Sequence, residues 1–293
     1  MTQSQGPLFN NLSSNSLEDQ PFEEALKWID RVTEELPSGI STDRIGQVIQ
    51  DVDNLFHGRF PGYLACDTRY HSFEHTLLLF PPFCQLAVAL FKKYPEALSP
   101  RDIELGLIAV FLHDTGYIRN VDDHSGSGAK YTFRHIDRSI SFAYGYLPSL
   151  GYQEQDLLRV EQMISCTGVK PHVENINFLS EGCRLLGYAL GTADILGQMS
   201  DQRYIEKLPL LFLEFKEAYN YEEPESLAEM EIQRFTSEKE LIQHTPTFFT
   251  DLIHKRLEDM GGVYHLLEDP QTGQNPYLEK IKENMNTISS IHF

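Results

Sequence analysis

Positive charge is scarce in this chain. Its 24 Lys and Arg stand against 43 Asp and Glu, a formal net charge of −19, and no segment carries a block of basic residues. A protein that tracks a phosphate backbone needs such a block to displace counterions, so a nucleic-acid polymer is not an expected partner. The same imbalance repels small anions, and a phosphate-bearing substrate would need a metal ion or a few local arginines to draw it in. Cysteine is also sparse. Cys66, Cys84, Cys166 and Cys183 show no CxxC spacing and sit mostly in apolar runs, so they read as reduced core residues rather than disulfides or zinc ligands. No stretch reads as a membrane span, and the first twenty residues have neither a basic region nor an apolar core. A cytoplasmic protein with no membrane partner is expected.

What the chain does have is helical periodicity. With 293 residues, 41% of them hydrophobic and 23% charged, it can bury a substantial core. Residues 1–20 are polar and expected to be disordered; residues 21–293 read as one all-α domain with no alternating strand pattern. Phe22, Leu26, Ile29 and Val32 share roughly one helical face. A second helix is expected from Thr42 to Phe56. "SPRDIELGLIAVFL" opens with Ser99 as N-cap and Pro100 at the first helical position. Further helices are read in "FRHIDRSISFAYGYL", "QEQDLLRVEQMISC" and "EGCRLLGYALGTADILGQMSD", with "DDHSGSGAK" as a flexible loop between. Beyond Gln202, three or four more helices are expected, separated by Pro224, Pro246 and Pro276. Chemistry should be confined to about residues 66–204.

Three places set ionisable groups into apolar surroundings. "AVFLHDTGY" ends a hydrophobic run with His113 and Asp114. A buried charge costs several kcal/mol unless it is paired or binds metal. "RYHSFEHTLLLF" spaces His71 and His75 four apart, one face of a helix. Asp194 interrupts an apolar helix among Gly187, Ala189, Gly191, Ala193 and Gly197, small residues that admit a neighbouring helix closely. Each has an ordinary alternative: a helix cap for His113, a surface histidine pair, a core aspartate satisfied by a neighbouring donor. Together, His75, His113, Asp114 and Asp194 offer two imidazoles and two carboxylates. That set suits Zn, Fe, Mn, Co or Ni, with Mg possible alongside. Adjacent side chains on a helix point about 100° apart, so His113 and Asp114 share an ion most easily if the helix ends there, at Thr115 and Gly116. Gln198 and Asp201 follow Asp194 on the same face and can meet substrate or water around the site.

An H, then HD, then D on helices resembles the HD-domain superfamily of metal-dependent phosphohydrolases. "YHSFEHTLLLF" is similar to the first motif of the cyclic-nucleotide phosphodiesterases, Tyr-His-Asn, two residues, His. Ser72 stands where that pattern has Asn, and Thr76 and Leu78 where Ala and Asp usually follow. The resemblance covers residues 70–75, 112–117 and 194. It implies an HD-domain-like helical bundle with additional N- and C-terminal helices, and one or two divalent ions held by His75, His113, Asp114 and Asp194. Asp114 would bridge to any second ion, and His71 would be a general acid. The implied activity is hydrolysis of a small phosphorylated substrate, a phosphomonoester or phosphodiester such as a nucleotide or cyclic nucleotide. His135 falls where many members carry a further histidine, lining the pocket or binding a second metal. Cys166 and Thr167 stand where histidine-rich members have more ligands. Arg138, with Arg69, Lys130 and Arg134, can neutralise phosphate. His124 is expected to be exposed. Two other readings stay open: a non-catalytic metal-containing ligand-binding or regulatory module, and a di-iron oxygenase on the same scaffold.

Overall fold

The computed structural model describes residues 21–168, 172–223, 227 and 233–291. The expected disordered tail, Pro224 and the Phe22 side chain lie outside the described residues. Among those described there are eleven α-helices and no strand, with one isolated antiparallel bridge between Tyr63 and Asn120. The helices are α1 (Pro21–Glu34), α2 (Thr42–Phe56), α3 (Phe73–Lys93), α4 (Pro100–Leu112), α5 (His135–Tyr146), α6 (Glu154–Ser165), α7 (Glu181–Met199), α8 (Tyr204–Ala218), α9 (Glu238–Phe248), α10 (His254–Asp259) and α11 (Pro276–Ser290).

Local signals account for the ends nearest the site. Ser99 and Asp102 form a reciprocal capping box at the start of α4, with Pro100 at the first helical position as expected. The helix stops at Leu112, and Asp114 precedes a short 3-10 turn, Thr115–Tyr117. α7 ends where the buried Asn284 side chain of α11 donates to the carbonyls of Met199 and Asp201. Pro246 does not separate two helices: it sits in the last turn of α9, which continues through a π-helical segment, Phe249–Ile253, into α10. A late proline removes one backbone donor and can be carried by such local rewinding.

α3 and α7 form the central pair, with α1 and α4 also against α3 and with α4, α6 and α11 against α7. By length and composition α3 is long and apolar enough to cross a membrane, contrary to the expectation that no stretch is, yet most of it is buried inside the protein. A core helix packed on several sides is apolar all round for the same reason a membrane helix is. Close approach of α3 to α7 depends on Gly197. A β-carbon there would lie 2.7 Å from both the Leu78 carbonyl oxygen and the Leu79 α-carbon. Pro82 supplies no N–H to that carbonyl. All four cysteines are free, three of them buried.

Candidate metal centre

α3, α4 and α7 bring their ionisable groups to one point. His75 projects from the first turn of α3, while His113 and Asp114 come from the end of α4. One ligand atom from each of these three buried residues lies within 4.8 Å of the others. Asp114 Oδ2 is 3.3 Å from His113 Nε2 and 3.5 Å from His75 Nε2. Asp194 reaches in from α7, its Oδ1 3.1 Å from His75 Nε2 and 4.0 Å from His113 Nε2.

The spacings of Asp114 from the two imidazoles suit an ion, while Asp194 lies outside this mutually close group of three. Four ligand atoms bound at about 2.0–2.2 Å around a tetrahedral centre sit roughly 3.3–3.6 Å apart. His113 Nε2 and Asp114 Oδ2 are buried and make no hydrogen bond, an expensive state unless something else fills their valence. The other nitrogen of His113 is committed: Nδ1–H donates to the Val110 carbonyl at 2.7 Å. This is the outer hydrogen bond that orients a ligating histidine, and it is also the helix-end contact of the ordinary reading. The field at the cluster favours positive charge. Burial would depress His113, but the carboxylates of Asp114 and Asp194 outweigh it and lift the imidazole to about 9. Burial would raise Asp114, yet His113 and then His75 hold it well below the usual carboxylate range.

His71 is not on the helix of His75. α3 begins at Phe73 with Ser72 as its cap, because the segment before it turns back so that the Thr68 hydroxyl donates to the His71 carbonyl. The two imidazoles still meet, with ring centroids 5.4 Å apart. The partner of His71 is Glu214 of α8, whose Oε2 lies 2.6 Å from His71 Nδ1 and whose Oε1 accepts from the Tyr70 N–H at 2.6 Å. Burial lowers the His71 imidazole, but Glu214, with the more distant carboxylates of Asp114 and Asp194, outweighs this and raises it overall. Glu214 lies beyond the expected 66–204 span. Its only trace in the sequence is an acid within the apolar run "LPLLFLEF".

His135 sits beside the cluster, its Nε2 3.7 Å from Asp114 Oδ1 and its Nδ1–H donated to the Thr132 carbonyl at 2.6 Å. Burial lowers it, and the nearby Asp114 only partly compensates. Gln198 braces Asp194, its side-chain amide donating to the Asp194 main-chain carbonyl at 3.1 Å and facing Oδ1 at 3.3 Å, while its own oxygen accepts from the Tyr70 hydroxyl at 2.9 Å. Asp201 turns instead to Lys207, 2.6 Å away.

Three of the four expected phosphate-binding cations are engaged elsewhere. Arg138 donates to the Gly116 and Ile118 carbonyls at 2.7 and 2.8 Å, holding the chain that leaves the HD motif. A guanidinium one helical turn along α5 is better placed to satisfy those orphan carbonyls than to face substrate. Arg134 is bidentate on Glu222. Lys130 is buried and paired with Asp123, so the glycine-rich loop is pinned rather than free, with Glu217 and Asp67 accepting from Ser127 and Gly128. His124 is exposed, as is Arg69. No protein-family model, curated protein or solved structure matches the chain.

Proposed function

We propose that the protein is a metal-dependent phosphohydrolase built on an HD-type helical scaffold, acting on a small phosphomonoester or phosphodiester of the nucleotide class. The observation that carries this reading is a pair of adjoining devices: a buried His75–His113–Asp114 cluster with Asp194 at its edge, and beside it a histidine held by its own carboxylate. A purely structural metal site would have no use for the second.

A divalent ion bound there supplies Lewis acidity and a water whose pKa is brought toward neutrality. His75, His113, Asp114 and Asp194 would hold it, Asp194 being oriented by Gln198. Glu214 keeps a proton on His71 Nδ1 and favours the imidazolium, which leaves Nε2–H to donate to a departing oxygen. Such general-acid help is worth roughly a hundred- to ten-thousand-fold. With Arg134, Arg138 and Lys130 engaged elsewhere, substrate charge falls to the ion and the His71 imidazolium.

Elemental analysis and a panel of nucleotides and phosphate esters test this directly. Bound divalent metal with chelator-sensitive hydrolysis is expected, whereas metal-replete protein that turns over no ester on the panel would refute it. The roles then separate by leaving group. His71→Ala should keep its metal and much of its activity on p-nitrophenyl esters, whose leaving group needs no proton, while losing most activity on alkyl or nucleotide esters. His75→Ala should lose both. Equal losses on both substrates in metal-replete His71→Ala would remove the general-acid role.

A further inference from the structure

Tyr117 stands three residues past Asp114 and is fully buried, with a hydroxyl near Thr132 that forms no well-shaped hydrogen bond. Its ring is better employed. The His71 imidazole stacks on it at 4.4 Å and 11°, and the His135 imidazole at 4.7 Å and 20°. The two histidine centroids are 6.1 Å apart. Two rings on opposite faces of a third would be separated by two van der Waals layers, about 7 Å or more. Both imidazoles therefore lie on the same face of Tyr117, side by side.

Tyr117 is held firmly from both sides. The helix that carries His135 also carries Ser139, whose hydroxyl accepts from the Gly116 N–H at 2.9 Å, and Arg138, which binds the carbonyls of Gly116 and Ile118. Gly116 makes this closeness feasible, since a β-carbon there would lie 2.8 Å from the Ser139 nitrogen and from the His135 carbonyl carbon.

We infer that Tyr117 is a positioning residue, the shared floor that fixes the ring planes of His71 and His135 beside the metal cluster. The inference rests on the general-acid reading of His71 above. The Glu214 hydrogen bond anchors one atom of His71, and coupled changes of χ1 and χ2 can still tilt the ring around that anchor. Contact with a flat, immobile face removes that freedom, and the two restraints together set the direction of Nε2. The hydroxyl plays no part, so the flat ring is the property that matters.

The test compares Tyr117→Phe, which keeps the face, with Tyr117→Leu and Tyr117→Met, which fill the space without one. Tyr117→Phe should match the parent throughout. Tyr117→Leu and Tyr117→Met should keep their metal and p-nitrophenyl ester activity, and lose about ten- to a hundred-fold in kcat on alkyl or nucleotide esters with little change in KM. Independently of turnover, the ring protons of His71 and His135 are shielded by the Tyr117 face, so their NMR resonances should move downfield in both non-planar variants and not in Tyr117→Phe. Unmoved resonances in whichever non-planar variant folds would overturn the inference, as would equal activity losses on both ester types. A Tyr117→Phe defect as large as that of Tyr117→Leu would overturn it in favour of the hydroxyl. A parent protein with no ester activity would sink the phosphohydrolase reading, while the NMR arm would still decide whether the floor exists.

Discussion

Replacing Glu214 by Gln changes one charge and almost no volume in a buried site, which makes it an incisive probe of His71. In the folded chain Glu214 Oε1 accepts from the Tyr70 N–H, and Oε2 faces His71 Nδ1 at 2.6 Å. A glutamine would keep its oxygen on the backbone donor and turn its NH2 toward Nδ1. The imidazolium, which needs an acceptor at Nδ1, would then meet a donor. A charge-assisted hydrogen bond contributes roughly 1.5–3 kcal/mol against about 1 kcal/mol for a neutral one. The substitution therefore removes at least about 1–2 kcal/mol of preference for the protonated form, on the order of ten-fold in the protonation equilibrium. Titrating the His71 ring by NMR should show it losing its proton at clearly lower pH, and the alkaline limb of the pH–rate profile on alkyl esters should move down with it. Stability gives an independent check on the sign. His71 titrates above its ordinary value of 6.5 when folded, so the pair's contribution is fully present below about pH 6.5 and is lost as pH rises through the folded value. That alkaline decline in the melting temperature should flatten in Glu214→Gln. An unchanged His71 titration in the folded variant would refute the account of how this histidine is charged.

Asp114→Ala should strip the metal, measured by elemental analysis, and lower the melting temperature, because removing the buried carboxylate that lies between two imidazoles costs roughly 3–5 kcal/mol; full occupancy would show that the ion sits elsewhere. Gly197→Ala should destabilise by about 1–3 kcal/mol, since its β-carbon would meet the Leu78 carbonyl at 2.7 Å. Because the same contact sets the spacing of His75 from Asp194, that variant should also bind metal more weakly in a chelator competition; unaltered affinity would separate helix spacing from site geometry.

Much of this protein is determined by short-range pattern. Ser99 and Pro100 start α4 because capping and a fixed φ act within one turn, and α2 spans Thr42–Phe56 for similarly local reasons. The HD pair declares itself because ionisable groups at the end of an apolar run must find partners, and small residues around Asp194 announce close packing before any partner is known. What lies across the fold is not written locally. The periodicity that places His71 and His75 on one helix cannot register that the chain turns at Thr68 and that α3 begins only at Phe73. Arg138 looks like a free cation until the carbonyls of Gly116 and Ile118 are placed beside it. Glu214, 143 residues from His71, is an unremarkable acid in an apolar run until α8 packs against the segment before α3. The side-by-side histidines on Tyr117 likewise exist only once α5 closes on Gly116. Propensity and patterning act over a few residues, whereas the pairing of a histidine with its carboxylate is settled by which helices can bury their faces together.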